Sequence, residues 1–548
     1  ADEEPPHPLS REALGDSLLI AATLGSYLMG EVHVMRKIVI DGSNTTGFQR
    51  TAVVGLGGAL EVDGVRVGVQ TVTLEEDAAR ILGEDGASRR WGLDRLGVPL
   101  VEIALAPMEG DPELVGRVAL HLGRVLRSTG KAARGLGTIR QDLNVSLEGG
   151  NVVEVKGVQK LNLIPKVVEY ERRRQSMLRR VAEALREKGM KAVACSSADV
   201  TAALRGSASP VVARLLSGGA RAACIAAPGL GGLLGWEPEP GVRLGKELAE
   251  VARANGIGGV IHSDEFEKQG VPQAEGAALR SSLGCGQNDA LVLVAGRPEA
   301  VERVVPLLMA RLAACAAGVP AETRAPTDGG ETRYMRPRPG SQRMYPETDI
   351  PDITVTEEER AELARNAPED WRSRVARLEK DLSLSGDMAL KLYDADEVER
   401  FEGLAGRLRL EPSFIASVLV DLPARLSREG VAEAGYAPEA LAQALEAVAA
   451  GTVAKEAVPD VLKAAWEKRM TVEQAASALG LERVDEARLG EILEGIVSRQ
   501  AALVKEKGDA AFSPLMGEAM KEVRGKVDGA LVARLLREKM ARVSGTPA

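Results

Sequence analysis

The sequence is poor in aromatic residues. Phe, Trp and Tyr together make up 3% of 548 residues, so its cores must be built from Leu, Val, Ile and Ala. Cysteine is equally scarce. Cys195, Cys224, Cys285 and Cys315 show no Cys-x-x-Cys spacing, which argues against a zinc site or disulfide framework and fits a reducing, cytoplasmic setting. They read best as small buried hydrophobes. The four histidines, His7, His33, His121 and His262, form no Ser/His/Asp or Cys/His set, and no glutaminase nucleophile stands out. A chemistry that used amide nitrogen would therefore draw its ammonia from another subunit. Positive charge is not in excess. The net charge is −9, which argues against general coating of nucleic acid and leaves room for a local basic surface. No apolar run reaches the roughly 18–20 residues needed to span a bilayer.

What is present is an ordinary globular composition, 45% hydrophobic and 27% charged. The length predicts about three or four domains. Up to about Ser207, segments 34–40, 53–56, 67–74 and 152–155 read as strands, and 112–128 and 167–188 as helices. That mixture predicts an α+β domain with a mostly antiparallel sheet. From there to about Pro320 the pattern becomes helix, glycine-rich loop, strand, helix, and reads as an inserted α/β module. Its strands are expected at 257–261 and 290–295, with a helix over 298–317. Segment 333–353 is rich in Arg and Pro and cannot form long regular structure. Beyond Thr354 nearly everything has helical period. The expected divisions are 1–208 and 323–353 for the α+β domain, 209–322 for the insertion, 354–485 for a helical domain and 486–548 for a tail.

Five constellations could carry chemistry. Glu75 belongs to the acidic string Glu75-Glu76-Asp77 at a strand end, and Glu102 interrupts the apolar run GVPLVEI. That run predicts a buried strand, where an ionised carboxylate is costly without a cation or donors. Carboxylate oxygens suit Mg²⁺. The plainer alternative is a structural Glu102 bridged to an arginine beside a solvated acidic turn. Arg140, Asp142 and Asn144 alternate, as do Glu154 and Lys156, on what read as paired strands. Period-two alternation puts each set on one face, suited to phosphate, amide or ammonia, or simply to solvent. The loop DGSNTTGFQR, with Ser43, Asn44 and Thr45, favours turns, and lacks the Gly-Lys-Ser/Thr ending of a P-loop. In SQRMYPETDIPDI, Arg343, Tyr345, Glu347 and Asp349 lie among prolines that restrict the backbone, as a site segment or a rigid connection would require. Near the end, Lys521, Arg524, Lys526, Arg534 and Arg537 could meet phosphates, although interspersed acids also describe a solvated helix face.

Taken in order, EVHVMRKIVIDGSNTTGFQRT, LEED, GVPLVEIA, GLGTIRQDLNVS, VEVKGVQ, RPRPGSQRMYPETDIP and LMGEAMKEVRGKVDG resemble the B/E family of transamidase subunits of tRNA-dependent amidotransferases. The DGSNTTGFQRT string points to the archaeal E type. So does the segment around IHSDEFEKQGV, which is similar to the insertion domain of bacterial-type aspartyl-tRNA synthetases. The resemblance spans about Gly15 to Met540. It implies a cradle domain carrying an α/β insertion, followed by all-α helical and tail domains. The last two would hold the tRNA elbow and the cradle the acceptor end.

The activity implied is ATP-dependent. The side-chain carboxylate of Glu on tRNA(Gln) is phosphorylated, then attacked by ammonia to give Gln-tRNA(Gln). Phosphorylation supplies the leaving group that a carboxylate lacks, and phosphoryl transfer needs Mg²⁺ and placed cations. The ammonia would come through a channel from an asparaginase-like D subunit, in an assembly of two D and two E subunits. Neither a membrane nor DNA is implied. Carried over residue by residue, the resemblance puts the metal on Glu75 and Glu102. It puts the chemistry on Arg140, Asp142, Asn144, Lys156, Arg343 and Glu347, and the nucleotide on Ser43, Asn44, Thr45 and Tyr345. The tRNA would meet Lys521, Arg524, Lys526, Arg534 and Arg537. One departure is clear. The family opens with a Gly-x-Glu-x-His strand whose Glu and His complete the metal site, and Gly30-Glu31-Val32-His33 is one residue too short to be it. The expectation is an amino-terminally truncated chain, with a catalytically impaired tRNA-binding and assembly subunit as the alternative reading.

Overall fold

The computed structural model describes residues 7–84, 88–133, 135, 137–338, 344–431, 438–480, 486–523, 527 and 529–544. The chain divides into two compact units, Ala1–Pro368 and Glu369–Ala548.

Nine strands of the first unit carry or border the residues singled out in the sequence. They are β1 (Val34–Ile38), β2 (Phe48–Leu56), β3 (Val65–Glu76), β4 (Pro99–Leu105), β5 (Leu143–Val145), β6 (Val153–Val155), β7 (Glu322–Pro326), β8 (Thr332–Pro337) and β9 (Met344–Pro346). The first sheet is antiparallel. It runs β9-β1-β2-β3, with β4 beside the second half of β3 and Ala59–Val62 beside the first. Helix α1 (Arg11–Thr23) packs on β2 and β3. It sits so close that a Cβ added at Gly55 would lie 2.8 Å from that of Ala21. The second sheet runs β5-β6-β7-β8, with β6 and β7 parallel and the outer pairs antiparallel.

The expected helices form where the sequence signals stand. Asp111 caps α2 (Pro112–Ser128) by accepting the Glu113 N–H, and Pro112 occupies the first turn, where its missing N–H costs nothing. Helix α3 (Ile164–Glu187) packs against α2.

A third sheet, ordered Ser196–Asp199, Arg221–Ala227, Ala290–Gly296, Ile261–His262, is antiparallel throughout. Its first strand precedes the expected junction at 208/209. The strand expected over 257–261 shrinks to Ile261–His262. Gly256 has a φ of +86°, and the Ile257 N–H returns to the Ala252 carbonyl, so Ile257 closes the preceding helix instead of starting a strand. Cys224 and Cys315 are buried and Cys195 and Cys285 partly so, all four as free thiols.

Between this module and the second sheet lies a sealed cluster of seven charges, made of Arg174, Arg311, Arg324, Glu171, Glu247, Glu250 and Glu322. Arg174 donates to Glu171 at 2.7 Å and twice to Glu247, at 2.7 and 2.8 Å. Arg311 donates to Glu322 at 2.9 Å, and Arg324 donates to Glu322 at 2.8 Å and to the Thr332 hydroxyl at 2.7 Å.

In the second unit the described elements are all helices. They build one apolar core from Val375 to Ala476 and another from Leu489 to Met540. The chain is thus a mixed α+β protein with a helical carboxy-terminal region, and no described helix is long and apolar enough to cross a membrane.

Candidate functional site

Strand alternation gives the first sheet a polar face. Across it, β1 contributes Lys37, β2 Gln49 and Thr51, β3 Thr73 and Glu75, and β4 Glu102, as the registers Lys37↔Gln49, Thr51↔Glu75 and Thr73↔Glu102 require. Glu75 is buried and well supplied with donors. It accepts from Lys37 Nζ at 2.7 Å, the Thr51 hydroxyl at 3.1 Å and Gln49 Nε2 at 3.2 Å. Glu102 differs. The sequence predicts it buried, but it is exposed, because β4 pairs only with β3 among the described strands and its apolar neighbours are only half-buried. Its carboxylate has no hydrogen-bond or ion-pair partner among the described residues. Partial desolvation in the cleft, and then the negative charge of Glu75, raise its pKa, while Lys37 and Lys156 oppose the shift.

Lys156 and Asp142 of the second sheet's region act electrostatically on Glu102, and Arg140 reaches Asp77 at the end of β3. Lys156 Nζ lies 2.9 Å from Asp142 and 3.1 Å from Glu154. Burial works against the charge of Lys156, but the two carboxylates outweigh it and raise its pKa. Asn144 stands opposite Glu154. Arg140 and Asp142 precede the strand and do not lie on it as expected. Regular pairing starts at Leu143, because the Asp142 carboxylate takes the Gly157 N–H at 2.8 Å, a bond that a strand would have given to backbone. Arg140 crosses to the first sheet and donates to Asp77 at 3.0 Å. The structure therefore brings together Glu75, Glu102, Arg140, Asp142, Asn144 and Lys156, and adds Lys37, which sequence reasoning missed. The signal for Lys37 was a cation at an alternating position in VMRKIVI, but its partner lies 38 residues away.

Other predicted residues lie elsewhere. Tyr345 is opposite Arg36, on the face away from Glu75. Glu347 is buried and bound to Arg36, with one contact at 2.7 Å. That hydrogen bond holds its carboxyl below the usual range, against a smaller desolvation effect. Ser43 and Asn44 are buried in the loop after β1, and Thr45 is exposed. Ser43 donates twice to Asp41, at 2.6 and 3.0 Å. In the tail, Lys521 is exposed. Arg534 pairs with Glu486 at 3.0 Å and Glu538 at 3.1 Å, and Arg537 lies 4.4 Å from the centre of the Phe512 ring. Arg343, Arg524 and Lys526 lie outside the described residues.

Glu75 and Glu102 fit a hard divalent cation in donor chemistry. Two carboxylates share one face, and the one without a partner is disfavoured as an anion by the other. Glu31, His33 and Asp352 form a separate exposed cluster whose possible ligand atoms lie within 4.8 Å of one another. There His33 Nδ1 already meets Asp352 at 2.7 Å.

Known families and proteins match this sequence. The GatB/GatE catalytic domain matches residues 4–361, and the GatB domain matches residues 399–540. The E subunit of the glutamyl-tRNA(Gln) amidotransferase of Aeropyrum pernix is 42% identical over 551 residues, covering 99% of this chain and 86% of that protein. The corresponding E subunits of Archaeoglobus fulgidus and Methanopyrus kandleri are 42% and 40% identical, over 98% and 99% of this chain and 86% of each relative. With these matches and relatives, the chain belongs to the GatB/GatE family, as a tRNA-dependent amidotransferase subunit of the archaeal glutamyl-tRNA(Gln) E type.

Proposed function

We propose that this chain activates the glutamyl side chain of Glu-tRNA(Gln) with ATP and amidates it to give Gln-tRNA(Gln). The observation that carries this reading is the grouping of Lys37, Glu75, Glu102, Asp142 and Lys156, with Glu102 left without a partner among the described residues.

Each group has a chemical task. Lys37 holds one oxygen of Glu75 and fixes its orientation. Glu75 and Glu102 would hold Mg²⁺, which supplies positive charge to the phosphoryl oxygens during transfer. Lys156, kept cationic by Asp142 and Glu154, is placed to meet charge that develops on the substrate carboxylate or phosphate, and its position costs no rearrangement when the reaction occurs. Arg140, tied to Asp77, joins the two walls and maintains their spacing. We assign Ser43, Asn44, Thr45 and Tyr345 to the nucleotide, and Arg343 and Glu347 to the chemistry, as the family resemblance implies. The ammonia comes from a separate asparaginase-like D subunit in an assembly of two D and two E subunits. The α/β module is the aspartyl-tRNA-synthetase-like insertion, and the tail reaches tRNA phosphates through residues such as Lys521.

The test is conversion of labelled Glu-tRNA(Gln) to Gln-tRNA(Gln) by this chain with ATP, Mg²⁺ and ammonium chloride. Product without a D subunit is expected. A complete lack of product with intact tRNA binding would remove the transamidase reading.

A further inference from the structure

The cations of the cleft are mostly spoken for. Lys37 is held by Glu75, Arg140 by Asp77, and Lys156 by Asp142 and Glu154. Beside the cleft, Arg36 is held by Glu347 and Arg50 by Glu76. A group held this way offers little net charge to an incoming polyanion. Two arginines on β8 are different.

Arg333 and Arg336 are three residues apart, which on a regular strand would send them to opposite faces. The pairing of β7 with β8 is not regular. It runs Arg324↔Tyr334 and Ala325↔Arg333, then slips by one residue to Thr323↔Arg336. Met335 is the extra residue of a β-bulge, and the bulge turns Arg336 back to the face of Arg333. That face is the polar one. Asn144, Glu154, Thr323 and Arg336 form one row across four strands. Continuing the β6–β7 register by one residue, Lys156, Ala325 and Arg333 form the next. With strands about 5 Å apart, the backbone of Arg336 and Arg333 lies about 10 Å from that of Glu154 and Lys156.

Both side chains are exposed, and neither has an ion pair or side-chain hydrogen bond to another described residue. Arg336 also acts on the loop that carries Ser43 and Asn44. Burial raises the pKa of Asp41, but the Ser43 hydroxyl and N–H, then Arg336 and Arg89, bring it below the usual carboxylate range. The charge of Arg336 is thus felt at Asp41, two residues before Ser43.

We propose that Arg333 and Arg336 bind the phosphate oxygens of the nucleotide substrate, and that the β8 bulge exists to place the second guanidinium beside the first. This rests on the ATP-dependent reading above. Two planar, permanently charged donors on one face suit a polyphosphate, which offers several oxygens at adjacent positions. The competing explanation is that charge on an edge strand only discourages pairing with other chains. It accounts for the arginines but not for a bulge that aligns them.

The experiment measures equilibrium binding of ATP and, separately, of tRNA to the full chain and to Arg336→Ala, Arg333→Ala and Arg336→Lys, with thermal melts to confirm folding. Arg336→Ala should weaken ATP binding at least about tenfold and leave tRNA affinity within about twofold. Arg336→Lys should recover part of the loss. Unchanged ATP affinity in both alanine variants would overturn the proposal. So would lost tRNA affinity with ATP binding intact, which would assign the pair to the RNA backbone. The functional reading fails on a different observation, the absence of product from the unaltered protein, so the two failures are distinguishable.

Discussion

Two charged clusters in the first unit make opposite use of similar residues. The sealed cluster joins three arginines to four glutamates, all buried. Its excess negative charge falls on Glu250, whose pKa is raised by burial first, against the pull of Arg324. Glu247 is held far below the usual range because Arg174, Arg324 and Arg311 together overcome the cost of its burial. Every member has a protein partner. The cleft is open to water and its charges do not balance locally. Among the described residues, Glu102, Arg333 and Arg336 make no ion-pair contact. A charge whose partners are all protein groups fixes structure. A charge left over at an accessible place is available to a ligand.

The contrast can be broken in order of expected effect. Glu102→Gln should lower turnover at least about 100-fold, as loss of a charge used in the transition state does, while the unfolding free energy changes by less than about 0.5 kcal/mol. Single-turnover kinetics and denaturant melts test both halves. A large loss of stability with activity retained would make Glu102 structural. Arg324→Met should do the reverse, costing about 3–5 kcal/mol because it strands buried carboxylates. Denaturation that leaves stability unchanged would mean that water already supports them. Acid should act on the same cluster. Glu247 has a depressed folded pKa, so its contribution is present above its unfolded pKa of about 4.3 and is lost as pH falls further. Melting midpoints below pH 5 should drop more steeply for the unaltered protein than for Glu247→Gln, and parallel curves would rule the linkage out. The smallest effect is expected in the tail. Lys521→Ala should reduce the slope of log affinity against log salt for tRNA by about 1, and an unaltered slope would remove Lys521 from the phosphate contacts.

Much of this was legible locally. Helix α2 was legible from its apolar period over 112–128, and it spans Pro112–Ser128. Glu102 was conspicuous as an acid in an apolar run. Its exposure was not, because whether a strand has neighbours on both sides depends on pairings far along the chain. Arg174 gives no local sign of burial, since Arg172 beside it is exposed. Arg336 was hidden for another reason. Sequence spacing places it opposite Arg333, and the bulge that reunites them is a property of two paired strands, not of either one. Lys37 belongs to the same class, as part of an apolar run whose polar partner is set by sheet register.

The most direct test of the distinction between committed and left-over charge is the melting shift produced by ATP and Mg²⁺ in the unaltered protein and in Glu102→Gln. Ligand bound only by the folded state raises the midpoint. The account predicts a clear rise for the unaltered protein and little or none for Glu102→Gln at the same concentrations. Equal shifts in the two proteins would contradict it, because the unpartnered carboxylate would then play no part in holding the ligand.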